Sequence, residues 1–126
     1  MATYIYYEST TPSGVTQWEL LDNYKEVIHS LFDATDNIIS DGLHEIAGMS
    51  NLVTMKFIIY FENQQSAESY INNPPNVISL CSDPAVVTYC KDNNIIYSIS
   101  VNDTSNTLTE IIASIDNDNF SSWSIR

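Results

Sequence analysis

Basic residues are scarce in this chain. Only 4 Lys and Arg stand against 16 Asp and Glu, a formal net charge of −12. Nucleic acids are held largely by Lys and Arg that neutralise phosphates, so no nucleic-acid partner is expected. Anionic membrane surfaces are disfavoured for the same reason. Glycine is scarce too, with 3 in the chain, and no Gly-rich phosphate loop is present. The two cysteines, Cys81 and Cys90, lie too far apart for a zinc knuckle, and there is no Cys-x-x-Cys pair. They read as two partly buried thiols in a reducing compartment, with a disulfide open but not required. No stretch is apolar for long enough to span a bilayer. Residues 1–7 lack the basic start and long apolar run of a signal peptide. A cytoplasmic location is therefore expected, and the glycosylation-like triplets at Asn102 and Asn119 read as chance matches.

What is present suits a folded protein. The 126 residues are 44% hydrophobic. That matches one domain over residues 1–126, able to bury well over half of its unfolded surface without a metal or disulfide. The acidic excess reads mainly as a solubility feature. A mimic of nucleic acid would need its carboxylates on one face. Here they are scattered, and only 16% of residues are charged.

Along the chain, Thr-Tyr-Ile-Tyr-Tyr at 3–7 suits a strand, which Thr-Thr-Pro-Ser-Gly at 10–14 ends. Thr16 and Glu19 form a capping box, with Val15 and Leu20 at the hydrophobic-staple positions. Trp18, Leu21, Tyr24, Ile28 and Leu31 follow at helical spacing, which predicts a helix to about residue 32 or 34. Residues 37–46 read as a strand, 47–52 as a turn, and 53–61 as the strongest strand, together a hairpin. Asn63 can cap a helix over 64–71, which Asn-Asn-Pro-Pro at 72–75 stops. Asp83-Pro84 resembles a cap followed by Pro at the first helical position. Residues 85–91 therefore read as a short helix, while Val86, Val87, Thr88 and Tyr89 keep a strand open. Ile95, Tyr97, Ile99 and Val101 alternate with Ser98 and Ser100 as in a strand. Thr107 and Glu110 form a second capping box, opening a helix through 115, which the Asp-Asn-Asp-Asn run at 116–119 ends. Residues 120–126 form a tail pinned by Phe120 and Trp123.

The order β-α-β-β-α-β, with a further C-terminal helix, is the ferredoxin-like α+β arrangement. It places the first and third strands at the centre of an antiparallel sheet, with both helices on one face. In the third strand, Val53, Met55, Phe57, Ile59 and Phe61 share one face, and Thr54, Lys56, Ile58 and Tyr60 the other. In the first, Ile5 and Tyr7 oppose Tyr4 and Tyr6. Both faces of these strands read as covered.

This order, with Val-Thr-Met-Lys-Phe-Ile-Ile-Tyr-Phe-Glu-Asn-Gln-Gln-Ser-Ala-Glu-Ser-Tyr-Ile-Asn-Asn at 53–73, resembles the dimeric α+β barrel proteins, and among them the antibiotic-biosynthesis monooxygenase family. The resemblance covers about residues 3–101. It implies a homodimer joined through its sheets and a pocket between sheet and helices. Members act on small aromatic or polyketide-like molecules, degrade haem, or have no known activity. The haem-degrading members use an Asn, a Trp and a helical His. Asn23, Trp18 and His29 all fall in the first predicted helix but are not matched to that triad, and no catalytic residue is carried over; no cofactor is expected.

Four residues remain as low-specificity candidates for ligand binding: Tyr6, His44, Lys56 and Tyr60. His44, near Asp41 and Glu45, could act as a general base, although a structural or solvated role suits it better. Lys56 could hold an anionic group, but pairing across the hairpin with Asp41 or Glu45 is the plainer reading. Tyr4, Tyr6 and Tyr60 suit a dimer interface better than a pocket. Asp116 to Asn119 lack the Gly and late Glu of a calcium loop and read as a solvated helix end, so no metal site is expected. The sequence thus supports a small acidic homodimer that binds a small hydrophobic or aromatic molecule. A cofactor-independent monooxygenase-like or isomerase-like enzyme stays open, as does an acidic inhibitor of a basic protein surface.

Overall fold

The computed structural model describes residues 1–12, 44–50 and 53–125. The first predicted helix, with Thr16, Trp18, Glu19, Asn23 and His29, lies outside the described residues, as do 37–43 with Asp41. Five strands form one sheet: β1 (Ala2–Thr10), β2 (His44–Ser50), β3 (Thr54–Phe61), β4 (Ile96–Thr104) and the short β5 (Ser124–Ile125). Their spatial order is β4-β1-β3-β2-β5, and every neighbouring pair is antiparallel. The first and third strands are central, as expected. Order and direction give the four longer strands the ferredoxin-like α+β arrangement.

β2 and β3 form the expected hairpin, but its first strand runs further than the sequence suggested. Residues 47–50, expected in a turn, are strand. Ala47 and Met49 are buried there, and Ala47, Gly48 and Met49 pair with Ile58, Phe57 and Lys56. Pairing and burial outweigh the weak strand preference of Gly48.

Helix α1 (Gln64–Ile71) starts where the Asn63 side chain accepts from Ser66 N. The unforeseen α2 (Val77–Cys81) is capped reciprocally by Asn76 and Ser79. Helix α3 (Pro84–Asp92) resolves the open choice at 85–91 in favour of helix, with the Asp83 side chain accepting from Ala85 N. Helix α4 (Leu108–Asp116) begins at the expected Thr107 and Glu110 capping box. A 3-10 turn (Asn117–Ser122) follows and leads into β5.

Alternation in the central strands sorts side chains to two faces, as read from the sequence. Ile5, Tyr7, Ile46, Met55, Phe57, Ile59 and Phe61 form one core with Ala67 and Tyr70 of α1 and Val77 and Cys81 of α2. Whether Phe57 also meets the Trp18, Leu21 and Ile28 stripe falls outside the described residues. On the opposite face Ala47, Met49 and Ile58 pack with Leu108, Ile111 and Ile112 of α4 and with Trp123. Tyr4, Tyr6 and Tyr60 pack against this second cluster. Those tyrosines, assigned above to a dimer interface, therefore lie against the chain's own C-terminal helix. The stripe Leu108, Ile111, Ile112 and Ile115 needs an apolar surface, and this face of the sheet supplies one.

Two smaller expectations need correction. Trp123 pins the tail at 8% exposure, but Phe120 stays 38% exposed. Val101 does not join Tyr97 and Ile99 on the core and is 48% exposed.

Candidate functional site

The ladder brings three of the four candidates onto the α4 face. Tyr6 pairs with Ile58, and Tyr60 pairs with Tyr4 on β1 and Glu45 on β2. Lys56 stands opposite Glu8 on β1 and Met49 on β2. Cross-strand partners point to the same face, so Tyr4, Tyr6, Glu8, Lys56 and Tyr60 share one surface. His44 is opposite Phe61 in the register.

Lys56 does not pair across the hairpin with Glu45. Its Nζ lies 3.4 Å from Asp116 Oδ2, at the end of α4. Register is the reason: Glu45 falls opposite Tyr60, four residues along β3 from Lys56. Asp116 also accepts from Asn119 Nδ2 at 3.0 Å and from Trp123 Nε1 at 3.1 Å. Its side chain is only 8% exposed, so the expected solvated helix end is instead a nearly buried carboxylate. The hydrogen bond from Asn119, then those from Trp123 and Lys56, hold its carboxyl below the usual range despite burial. Asp116 thus ties the end of α4, the tail and the sheet together.

At the rim of this tie, Tyr6 Oη donates to Glu8 Oε2 at 2.7 Å. Burial pushes the Tyr6 phenol well above its ordinary value, and the hydrogen bond to Glu8 adds to this, followed by the charges of Glu8 and Asp116. Tyr6 is therefore a hydrogen-bond donor at neutral pH and a poor base. Tyr60 Oη donates to the Asn106 carbonyl at 3.1 Å. The ring faces of Tyr4, Tyr6 and Tyr60 are half-buried, and beyond them on β4 Ser98 and Ser100 are exposed. The arrangement offers aromatic surface with an acidic rim, and its one lysine is already neutralised.

Nucleophilic chemistry finds little support elsewhere. Cys81 and Cys90 are free and buried. Burial, with a smaller contribution from Cys90, pushes the Cys81 thiol up to about 12, and burial also raises Cys90. The reactive thiolate is therefore suppressed at both. Among the described residues, no group of three or more His, Cys, Asp or Glu side chains could hold a metal ion. No helix among them is long and apolar enough to cross a membrane.

No family model matches the chain, and no curated protein matches it. Solved structures do. A putative antibiotic biosynthesis monooxygenase from Deinococcus radiodurans aligns at TM-score 0.47 and 12% identity, over 83% of this chain and 95% of that one. A variant of SnoaB, a cofactor-independent oxygenase from Streptomyces nogalater, aligns at TM-score 0.44 and 5% identity, over 85% and 96%. A hydantoinase/carbamoylase family amidase from Burkholderia ambifaria aligns at TM-score 0.40 and 10% identity, over 82% of this chain but 28% of that one. The first two are of the kind that the sequence resemblance pointed to. At these scores and identities, the fold assignment rests on the chain's own strand order.

The sequence reading missed Asp116 and Trp123 as a pair, although a signal was there. Asp116 follows Leu108 and Ile112 at successive steps of four, on the stripe that α4 turns to the sheet. A carboxylate on an apolar stripe needs a partner, and Lys56 was the one basic residue in the predicted sheet. Glu8 was missed because it lay beyond the predicted end of the first strand.

Proposed function

We propose that this chain is a binding protein for a small hydrophobic or aromatic molecule, held against the row Tyr4, Tyr6 and Tyr60. The observation that carries this reading is the half-burial of the row at the margin of α4. The helix cluster takes in Ala47, Met49 and Ile58, while the tyrosine rings pack at its edge and keep part of their surface in solvent. Tyrosine provides a large, stiff contact surface with a polar tip. The Tyr6 phenol stays protonated, Lys56 is tied to Asp116, and both thiols are raised, so binding fits these groups better than acid–base or nucleophilic catalysis does. Two free, buried thiols are in keeping with a reducing compartment.

The test is a titration of the protein with neutral bicyclic and tricyclic aromatic compounds, followed by NMR of the tyrosine rings. Binding should move the Tyr4 and Tyr6 ring signals, and Tyr6→Ala should weaken it by about tenfold, the size of one lost aromatic contact. A panel that leaves those signals in place, or affinity that survives Tyr6→Ala, would reject the tyrosine row as the site.

A further inference from the structure

The row Tyr4, Tyr6 and Tyr60 lies in a negative field. On its face or beside it stand Glu8 of β1, Glu45 of β2, Lys56 of β3, and Glu110 and Asp116 of α4. Two of these carboxylates are committed within the protein. Glu110 Oε1 accepts from Thr107 N at 3.1 Å, and Asp116 holds Lys56, Asn119 and Trp123. The other lysine among the described residues, Lys91, is on α3, which packs toward the Phe57 core through Tyr97. Glu8 and Glu45 remain, both exposed. Glu45 stands opposite Tyr60, and Glu8 lies two residues past Tyr6 on the same face of β1. The Tyr6 phenol responds to this field. After burial and the hydrogen bond to Glu8, the charges of Glu8 and Asp116 push its titration further up. Charges that disfavour a phenolate at this ring favour a cation over it. Tyr6 Oη also donates to Glu8 Oε2 at 2.7 Å, which enriches the ring in electrons and holds the carboxylate at its edge. An aromatic face attracts a cation through its quadrupole.

We propose that the tyrosine row selects a small aromatic cation: a flat organic ring system with a fixed positive charge, seated on Tyr4 and Tyr6 with its charge beside Glu8. This rests on the row being the binding site and adds the charge of its occupant. Charge complementarity decides against the other classes. An anion would meet Glu8 and Glu45, and Lys56 is already held at 3.4 Å by Asp116. A neutral ring would gain apolar contact and nothing from the carboxylates. A metal ion would need a group of three or more ligands, and the described residues offer none. A carboxylate can accept from several donors, so Glu8 can face the positive edge of a ligand and keep Tyr6. On the side away from α4, Tyr4, Tyr6 and Glu8 pair with Asn102, Ser100 and Ser98 of β4. Both serines are exposed, so among the described residues the rings are approached from that side. The net charge of −12 draws cations toward the chain from a distance; the rings and Glu8 retain the flat ones.

The test compares three bicyclic probes on the full chain near pH 8: N-methylquinolinium, uncharged quinoline and anionic naphthoate. N-methylquinolinium should move the Tyr4 and Tyr6 ring signals and bind about tenfold tighter than quinoline at low salt. High salt should shrink that advantage, and naphthoate should bind weakest. Glu8→Gln keeps an oxygen that can accept from Tyr6 Oη, so it should remove most of the cation's advantage and leave quinoline unchanged. Glu68→Gln, exposed on α1, changes the net charge equally and should leave the advantage intact. Quinoline bound at the row as tightly as N-methylquinolinium would overturn the proposal and leave the row a site for neutral aromatics. An advantage that survives Glu8→Gln, or that Glu68→Gln reduces as much, would overturn it too, since the net charge alone would then be selecting. If no probe moves the tyrosine signals, the row itself is rejected and this selectivity with it.

Discussion

The face of the sheet that carries Phe57 and the face that carries Lys56 come from the same strands, one residue out of step, yet they are closed in different ways. The Phe57 face is mainly apolar, with Thr3 and Ser9 buried toward its ends: Tyr7 stacks on Phe57 with ring centroids 4.8 Å apart, and Ile5, Ile59 and Phe61 are fully buried beside them. The Lys56 face is closed by α4, and its apolar contacts are pinned by one nearly buried carboxylate with three polar partners. A face buried by hydrophobic packing draws on area and close fit. A face closed by a helix added at the end of the chain needs a register, and hydrogen bonds set one where apolar contacts can slide. The two faces should accordingly respond to different perturbations.

The largest effect is expected on the first face. Phe57 is 1% exposed at the centre of β3, and Phe57→Ala should open a cavity and cost about 3–5 kcal/mol. Chemical denaturation of the two proteins at one concentration measures it. A loss below about 1 kcal/mol would mean that this face is not the principal core.

A smaller effect, with a pH signature, belongs to the second face. Asp116→Asn removes the charge but keeps an oxygen that can accept from Trp123 Nε1, so near pH 7 the loss should be about 1–2 kcal/mol, the scale of one charge-assisted hydrogen bond. The sign of the pH dependence follows from the lowered carboxyl of Asp116. A group depressed in the folded state contributes stability above its unfolded value of about 4 and loses it as pH falls through the folded one. The parent should therefore lose this contribution in acid, and the gap between parent and Asp116→Asn should close as the pH falls below the unfolded value and through the lowered folded one. Denaturation curves between pH 2 and 7 would show it, and a gap that is constant across that range would contradict the assignment.

Why one face was more legible than the other follows from the same contrast. Apolar alternation at Met55, Phe57, Ile59 and Phe61 is a local pattern, and it announced its face directly. The caps at Asn63, Asp83 and Thr107 were equally legible, because each depends on two or three adjacent residues. The Lys56–Asp116 pair joins positions 60 residues apart, and no local pattern links them. Both faces of β1 and β3 were read as covered, and on the Lys56 face the α4 cluster takes in Ala47 and Ile58 while Tyr4, Tyr6 and Tyr60 stay half-buried at its edge. The sequence shows that a surface needs burial and not what buries it, and the α4 stripe was the unclaimed match. The strand through Ala47 and Met49 was hidden for a similar reason, since Gly48 and Ser50 resemble a turn until β3 is alongside.

Tyr60 gives the finest test of the comparison. If the Lys56 face is closed by α4, Tyr60 serves the fold of each chain; if it is closed by another copy, Tyr60 serves association. Its ring packs at the edge of the α4 cluster, and its hydroxyl donates to the Asn106 carbonyl just before α4 begins. That hydrogen bond is exposed, so Tyr60→Phe, which keeps the ring, should cost only about 0.5 kcal/mol. Tyr60→Ala also removes the ring contact and should cost more. With Tyr60 serving the fold of each chain, both should lower the melting temperature by a constant amount across a hundredfold range of protein concentration. Mass action makes melting depend on concentration only where an interface is lost or gained. A Tyr60→Ala protein whose deficit changes with concentration would place this tyrosine in an interface, and a second copy would then share the Lys56 face with α4.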